Sequence, residues 1–288
     1  MMPGGAPVGR DRRLRLTRRL LVIYLLVVMP VVTGCASTPT RIQLPEGPGV
    51  AFSEHEAALG AVIDQCRRVR TMELMVALRG RMGDTRLRGR VRTALARPAS
   101  LRLEGVSPFG APQFILVARP GSATLILPRD RQVVTDTPAD QLLEALAGIS
   151  LGPDDFRAVL TGCVVPKPRA VGGRAYGDGW IAVDLEGGAT AYLRDIDGSP
   201  VVVAGTRGRL TVEYAEYIRG LPRRVRVQAN GIGTDLTAAL SQVSINVELP
   251  PDAFVARIGE DYVPITLDQW RGVSPLEDPA LSSAPTDR

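Results

Sequence analysis

Three cysteines, one histidine and one pair of adjacent aspartates are the residues in this 288-residue chain whose types invite chemistry. Cys35 closes the run Val32-Thr33-Gly34-Cys35, while Cys66 and Cys163 stand alone. A catalytic thiol needs a neighbouring base to hold it as thiolate, and a metal site needs ligands gathered at short spacing. His55 is the single histidine and sits far along the chain from all three thiols. Asp154-Asp155 follow Pro153 at a helix start, where paired acids complement the helix dipole before they suggest acid–base work. No GxSxG occurs. The residues compose neither an active site nor a metal centre, so the expectation is a non-enzyme with no cofactor and no metal. Cys66 and Cys163 either form a disulfide, as an isolated pair can in an oxidising compartment, or stay as two small buried thiols.

Cys35 gains meaning from what precedes it. Arg10, Arg12, Arg13, Arg15, Arg18 and Arg19 form a basic region, Leu20 to Val28 an apolar run, and Pro30 to Gly34 a small-residue exit. That is the layout of a secretory signal, with an apolar run too short for the roughly 20 residues of a membrane span. Val-Thr-Gly-Cys resembles a bacterial lipobox, which implies acylation of Cys35 and its exposure as the new N-terminus. Ala36 and Ser37 follow, without the aspartate that marks inner-membrane retention; by resemblance to that sorting rule the destination is the periplasmic face of the outer membrane. Removing the six arginines and one aspartate of residues 1–34 from 35 basic and 30 acidic residues leaves 29 of each. The basic isoelectric point therefore belongs largely to the leader and does not argue for nucleic acid.

The elements that would position these residues follow in order. Residues 35–50, rich in Pro, Gly and Thr, read as a lipidated N-terminus and flexible tether. Ser53 and Glu56 have capping-box spacing, and Ala57, Ala58, Val62, Ile63, Cys66 and Val69 form one helical stripe with His55 on the solvent side. Two alternating strands come next, Met72–Arg79 and Arg86–Leu95, joined by a Gly83-Asp84 turn. The second alternates Leu87, Gly89, Val91 and Thr93 with Arg86, Arg88, Arg90 and Arg92. Such an arginine row suits a solvated face that discourages aggregation, and its charge also suits anionic lipid or nucleic acid.

From Leu101 to Gly121 two apolar strands flank Val106-Ser107-Pro108-Phe109-Gly110-Ala111-Pro112, a proline-stiffened tip carrying a phenylalanine. Phe109 either folds back onto the core or, with Pro108 and Gly110, is held out to meet a membrane or an acyl chain. Short strands at 124–127 and 132–135 lead to two helices. One starts at Thr137-Pro138 with proline in its first position and stops at Gly148; the other starts at Pro153 and stops at Gly162. Strands return from Arg174 to Leu249, punctuated by Gly187-Gly188, Asp197-Gly198 and Asn230-Gly231. Val243, Ile245 and Val247 extend their apolar face. Residues 271–288 read as a disordered tail.

About ten or eleven antiparallel strands sharing one apolar face are too many for a flat open sheet, which must curl or be covered. The expected fold is mainly β (α+β): over residues 51–270, a single curved antiparallel sheet forms an incomplete β-barrel, with about three helices over its apolar concave face. The side chains expected around a hydrophobic cavity are Leu74, Val76, Leu78, Leu87, Val91, Leu101, Leu103, Phe114, Leu116, Leu125 and Leu127 from the first set of strands. Leu142, Leu143, Leu146, Phe156 and Leu160 come from the helices, and Val183, Val212, Val225 and Val227 from the later strands. A solid core is the alternative that periodicity leaves open.

From Leu101 to Gly162 the chain resembles the LolB family of outer-membrane lipoprotein receptors. The matching features are PFG at 108–110, ARPG at 118–121, and the helices LLEALAGI at 142–149 and DDFRAVLTG at 154–162. They cover about a quarter of the chain, and beyond Lys167 only the style of the strands matches. The resemblance implies a lipid-anchored receptor that takes lipoprotein acyl chains from a periplasmic LolA-like carrier and helps insert them into the outer membrane, with Phe109 in the place of the family's protruding apolar residue. It implies a monomer that binds no nucleic acid. A structural or sensory envelope lipoprotein of the same fold is the other expectation.

Overall fold

Alternation of apolar and polar side chains along strand after strand dictates one extended sheet with a dry and a wet face. The computed structural model describes residues 41–107, 112–148, 150–163, 169–231 and 233–271. The leader, Cys35, the tether up to residue 40, the loop tip Pro108-Phe109-Gly110 and the tail from residue 272 lie outside the described residues. Fifteen strands form a single sheet: β1 (Val50–Ala51), β2 (Thr71–Met82), β3 (Thr85–Ala96), β4 (Ser100–Val106), β5 (Pro112–Arg119), β6 (Ser122–Leu127), β7 (Gln132–Thr137), β8 (Ala170–Ala175), β9 (Ile181–Leu185), β10 (Ala189–Ile196), β11 (Ser199–Arg207), β12 (Leu210–Ala215), β13 (Arg224–Ala229), β14 (Thr234–Ile245) and β15 (Val263–Pro264).

The order is β1-β8-β9-β10-β11-β12-β13-β14-β2-β3-β4-β5-β6-β7-β15. Two meanders, β8 to β14 and β2 to β7, are sewn together by the long antiparallel β14–β2 pair. Only β15 on β7 is parallel, and the edge strands β1 and β15 leave the barrel open. Among the described residues four α-helices accompany the sheet: α1 (His55–Arg67), α2 (Ala139–Ala147), α3 (Pro153–Thr161) and α4 (Leu267–Trp270). The core lies between them and the inward side chains of the sheet, from Met72 and Leu101 to Val183 and Leu193. The incomplete barrel is the architecture the alternation implies.

Several local expectations are corrected. No side-chain cap forms at Ser53: α1 starts at His55 with Glu54 as N-cap. The entry turn is held by the sheet edge instead, because the Phe52 amide donates to the Gly173 carbonyl (2.9 Å) and His55 Nδ1 lies 2.8 Å from the Phe52 carbonyl. His55 is consequently half-buried against Gly173, where a Cβ would collide with it. Leu59 is buried on this helix and Ala57 is exposed. The tether ends earlier than residue 50, since the Tyr176 hydroxyl donates to the Gly47 carbonyl (3.2 Å) and Val50-Ala51 pair with β8.

Strands β1, β8 and β15 were illegible as strands; β8 holds Gly172-Gly173 in place of an alternating pattern. The helix expected to carry Pro138 in its first turn places that proline at the N-cap, with extended backbone. Ile245 pairs with Met72 yet stays 43% exposed where β14 ends, and Val247 lies beyond the strand. Helix α4 also went unread; a capping box of Thr266 and Gln269 starts it, and its Trp270 is buried.

The β14–β2 seam depends on close backbone approach. Gly80 sits there at φ +150°, and a Cβ at that position would run into the Asp235 carbonyl and the Leu236 Cα. Gly80→Ala is expected to lower the unfolding free energy by about 2–3 kcal/mol, seen as a lower urea midpoint; an unchanged midpoint would refute the seam's importance.

Candidate functional site

An apolar cavity lies between the sheet and the two mid-chain helices. Its floor is Val76 and Leu78 of β2, Val91 and Thr93 of β3, Leu103 of β4, Phe114 of β5, Val225 and Val227 of β13, and Leu236 and Ala238 of β14. Its roof is Leu143 and Leu146 of α2, Leu151 of the connecting turn, and Phe156, Val159 and Leu160 of α3. The helices present these residues because apolar positions recur at i, i+3 and i+4. Each stops at a left-handed glycine, Gly148 or Gly162, which turns the chain at the end of the roof. Gly105 faces Phe114 across the β4–β5 pair and lets the ring lie flat over the backbone; a side chain there would occupy the ring's place.

The cavity volume is about 100 Å³, and the cavity is partly open. That is below the roughly 150 Å³ of a dry cavity that accepts benzene, so the space as it stands holds only part of an acyl chain. Among the described residues the wall contains no titratable group and one polar side chain, Thr93, whose Oγ1 is buried and unpartnered. A single hydroxyl is too few partners to hold a water molecule.

Of the residues expected around a cavity, Val76, Leu78, Val91, Leu103, Phe114, Leu143, Leu146, Phe156, Leu160, Val225 and Val227 are brought together at its wall. Leu74, Leu87, Leu101, Leu116, Leu125, Leu127, Leu142, Val183 and Val212 are buried in the packed core instead. Helix α1 packs against β8, β9 and β11, α2 against β6 and α3 against β4. Sequence reading missed Thr93, Leu151, Val159, Leu236 and Ala238; their inward register was available from alternation, but their place under the roof was not. Cys35, Pro108, Phe109 and Gly110 lie outside the described residues, though the strands that carry the tip are paired up to Val106 and Pro112.

Cys66 in the last turn of α1 is disulfide-bonded to Cys163, just past α3, with Cα atoms 5.9 Å apart. The bond ties one end of the roof to a helix that rests on the sheet. Nearby, Tyr217 donates to the Val202 carbonyl, and burial pushes the hydroxyls of Tyr214 and Tyr217 upward. Asp154 is spent on an ion pair with Arg157 (2.6 Å), which fixes the first turn of α3 rather than offering a free carboxylate.

No protein-family model and no curated protein sequence matches the chain. Among solved structures it is similar to a LolA superfamily protein from Nitrosomonas europaea, at 13% identity and a TM-score of 0.50 over 69% of this chain and 97% of that one. It is also similar to a DUF1329 family protein from Desulfovibrio piger, at 12% identity and a TM-score of 0.48 over 70% of this chain and 98% of that one. At such identity the likeness is one of fold: the open sheet with its helical cover is a LolA-like arrangement.

Because 97 residues separate the bonded cysteines, the cross-link constrains a long loop of the unfolded chain. Cys66→Ser with Cys163→Ser is expected to cost about 2–4 kcal/mol, measured by denaturant unfolding under oxidising conditions. A loss below about 1 kcal/mol would show that the bond does little for the fold.

Proposed function

We propose that this chain is a lipid-anchored envelope protein that shelters acyl chains of lipoproteins in the cavity beneath α2 and α3 and helps insert them into the outer membrane. The observation that carries the reading is the cavity itself, a wholly apolar space except for Thr93, roofed by two short helices. Each buried CH₂ contributes about 0.8 kcal/mol, so an acyl chain in water gains strongly by entering such a space. Cys35 in its lipobox-like setting supplies the anchor, and Phe109 supplies an apolar tip between β4 and β5 that dips into the bilayer or guides the chain out. A periplasmic carrier of LolA type is the donor this reading calls for.

The small volume favours a second reading, in which the same fold is a structural or sensory lipoprotein that takes up no acyl chain. The two are separated by filling the cavity. Ala238→Leu adds apolar volume at the floor, and the acyl-chain reading expects affinity for a fluorescent neutral acyl ester to fall about fivefold or more while stability holds or rises. That affinity is also expected to stay constant between about pH 5 and about pH 9, because no titratable group lines the wall. An ester that does not bind the unsubstituted protein leaves the structural reading in front.

Transfer is tested separately. Residues 36–288 are mixed with a carrier holding labelled lipoprotein, and label arriving in liposomes is followed. Arrival faster than with carrier alone, lost in Phe109→Glu with folding intact, is the expected outcome. An unfolded Phe109→Glu protein would assign that side chain to the core.

A further inference from the structure

Arginines line the polar side of the β2–β3 ladder. Arg79 and Arg81 of β2 and Arg86, Arg88 and Arg90 of β3 are all exposed. Across the ladder Arg79 stands directly opposite Arg88, and Arg81 directly opposite Arg86. The carboxylates nearby are engaged elsewhere: Glu104 with Arg92 (3.0 Å) and Arg102 (2.7 Å), and Asp235 with Arg226 (2.7 Å). Asp84 lies in the hairpin turn. None of the five arginines makes an ion pair among the described residues.

Like charges directly opposite one another destabilise a ladder, so this arrangement works against the fold. Protection of a sheet edge accounts for Arg86 and Arg88 at most, because β4 pairs with β3 only from Arg90 to Ala96, whereas β2 is paired on both sides at Arg79 and Arg81. The residues beside them on the same face are Ala77, Met75, Thr237 and Ala239, with Asp235 of β14 opposite Arg81. There is no aromatic side chain among them to stack on a base or to anchor a protein interface. A broad face with dense positive charge and no apolar anchor matches a surface of many anions, each shared between facing guanidinium groups.

We propose that the outer face of β2 and β3 binds the headgroups of anionic phospholipids, holding the domain against a bilayer through Arg79, Arg81, Arg86, Arg88 and Arg90. The contact is independent of the cavity, and its test uses no acyl cargo, so the two readings stand or fall separately.

Residues 36–288, which contain the whole compact unit Gln43–Arg288, are sedimented with phosphatidylcholine vesicles and with vesicles in which about a third of the lipid is phosphatidylglycerol. The anionic vesicles are expected to capture the protein, the neutral ones to leave it in solution, and added salt to release it. Arg86→Glu with Arg88→Glu is expected to weaken capture about tenfold or more. Arg119→Glu with Arg207→Glu, the same charge change away from this face, changes it by less than about threefold. Each carboxylate introduced on β3 faces an arginine of β2, so that variant keeps its Tm or gains about 1–2 °C. A neutral pair, Arg86→Gln with Arg88→Gln, gives an intermediate loss of capture. Equal capture by both vesicles, equal loss in the two charge-reversal variants, or a lower Tm in the β3 variant would overturn the proposal. Tighter binding to soluble polyglutamate than to vesicles would overturn it in favour of an acidic protein partner.

Discussion

Strands whose apolar residues recur mostly at every second position give the fifteen-stranded sheet one face that water disfavours, and burial of that face is the interaction on which the rest of the structure depends. A sheet this wide curls, and its inward side chains meet one another only in part. The remainder must be covered by helices, and those available are short: 13 residues in α1 and nine each in α2 and α3. Where α1 and α2 lie directly on strands, the core is solid around Val183, Leu125 and their neighbours. Where α2 and α3 bridge over the sheet, packing is incomplete and an apolar space remains. The cavity is thus a consequence of covering a wide curved surface with two narrow rods.

The roof over that space is held unequally. The end of α3 is bonded through Cys163 to Cys66 of α1, which itself sits on β8, β9 and β11. Helix α2 and the Gly148–Gly152 turn carry no such cross-link. Among the described residues Thr93 is the one polar residue at the wall, so the roof rests on the sheet through apolar contact there.

The β2–β3 pair turns an apolar face inward and a basic face outward. Val76, Leu78 and Val91 turn inward to the cavity, while Arg79, Arg88 and Arg90 turn outward into solvent. Period-2 geometry makes the two independent, so the outward residues change without disturbing the packing inside.

Alternation by itself determined the long strands, the inward set of residues and, from their number, an open curved sheet under helices. The glycine stops at Gly148 and Gly162 were equally legible, because a left-handed C-cap is a local requirement. What only the tertiary structure decided depends on residues far apart in the chain. The β14–β2 seam, the pairing of β1 with β8, and the parallel β15 are long-range contacts that local pattern does not encode. The start of α1 was misread for the same reason, since a strand edge at Gly173, not a side-chain cap, holds its entry turn. Likewise Leu74 and Val76 are indistinguishable in sequence, both apolar and both inward. Only the packed structure puts Val76 at the cavity wall and leaves Leu74 buried away from it, because whether a buried side chain meets a neighbour or empty space is a property of the packed whole.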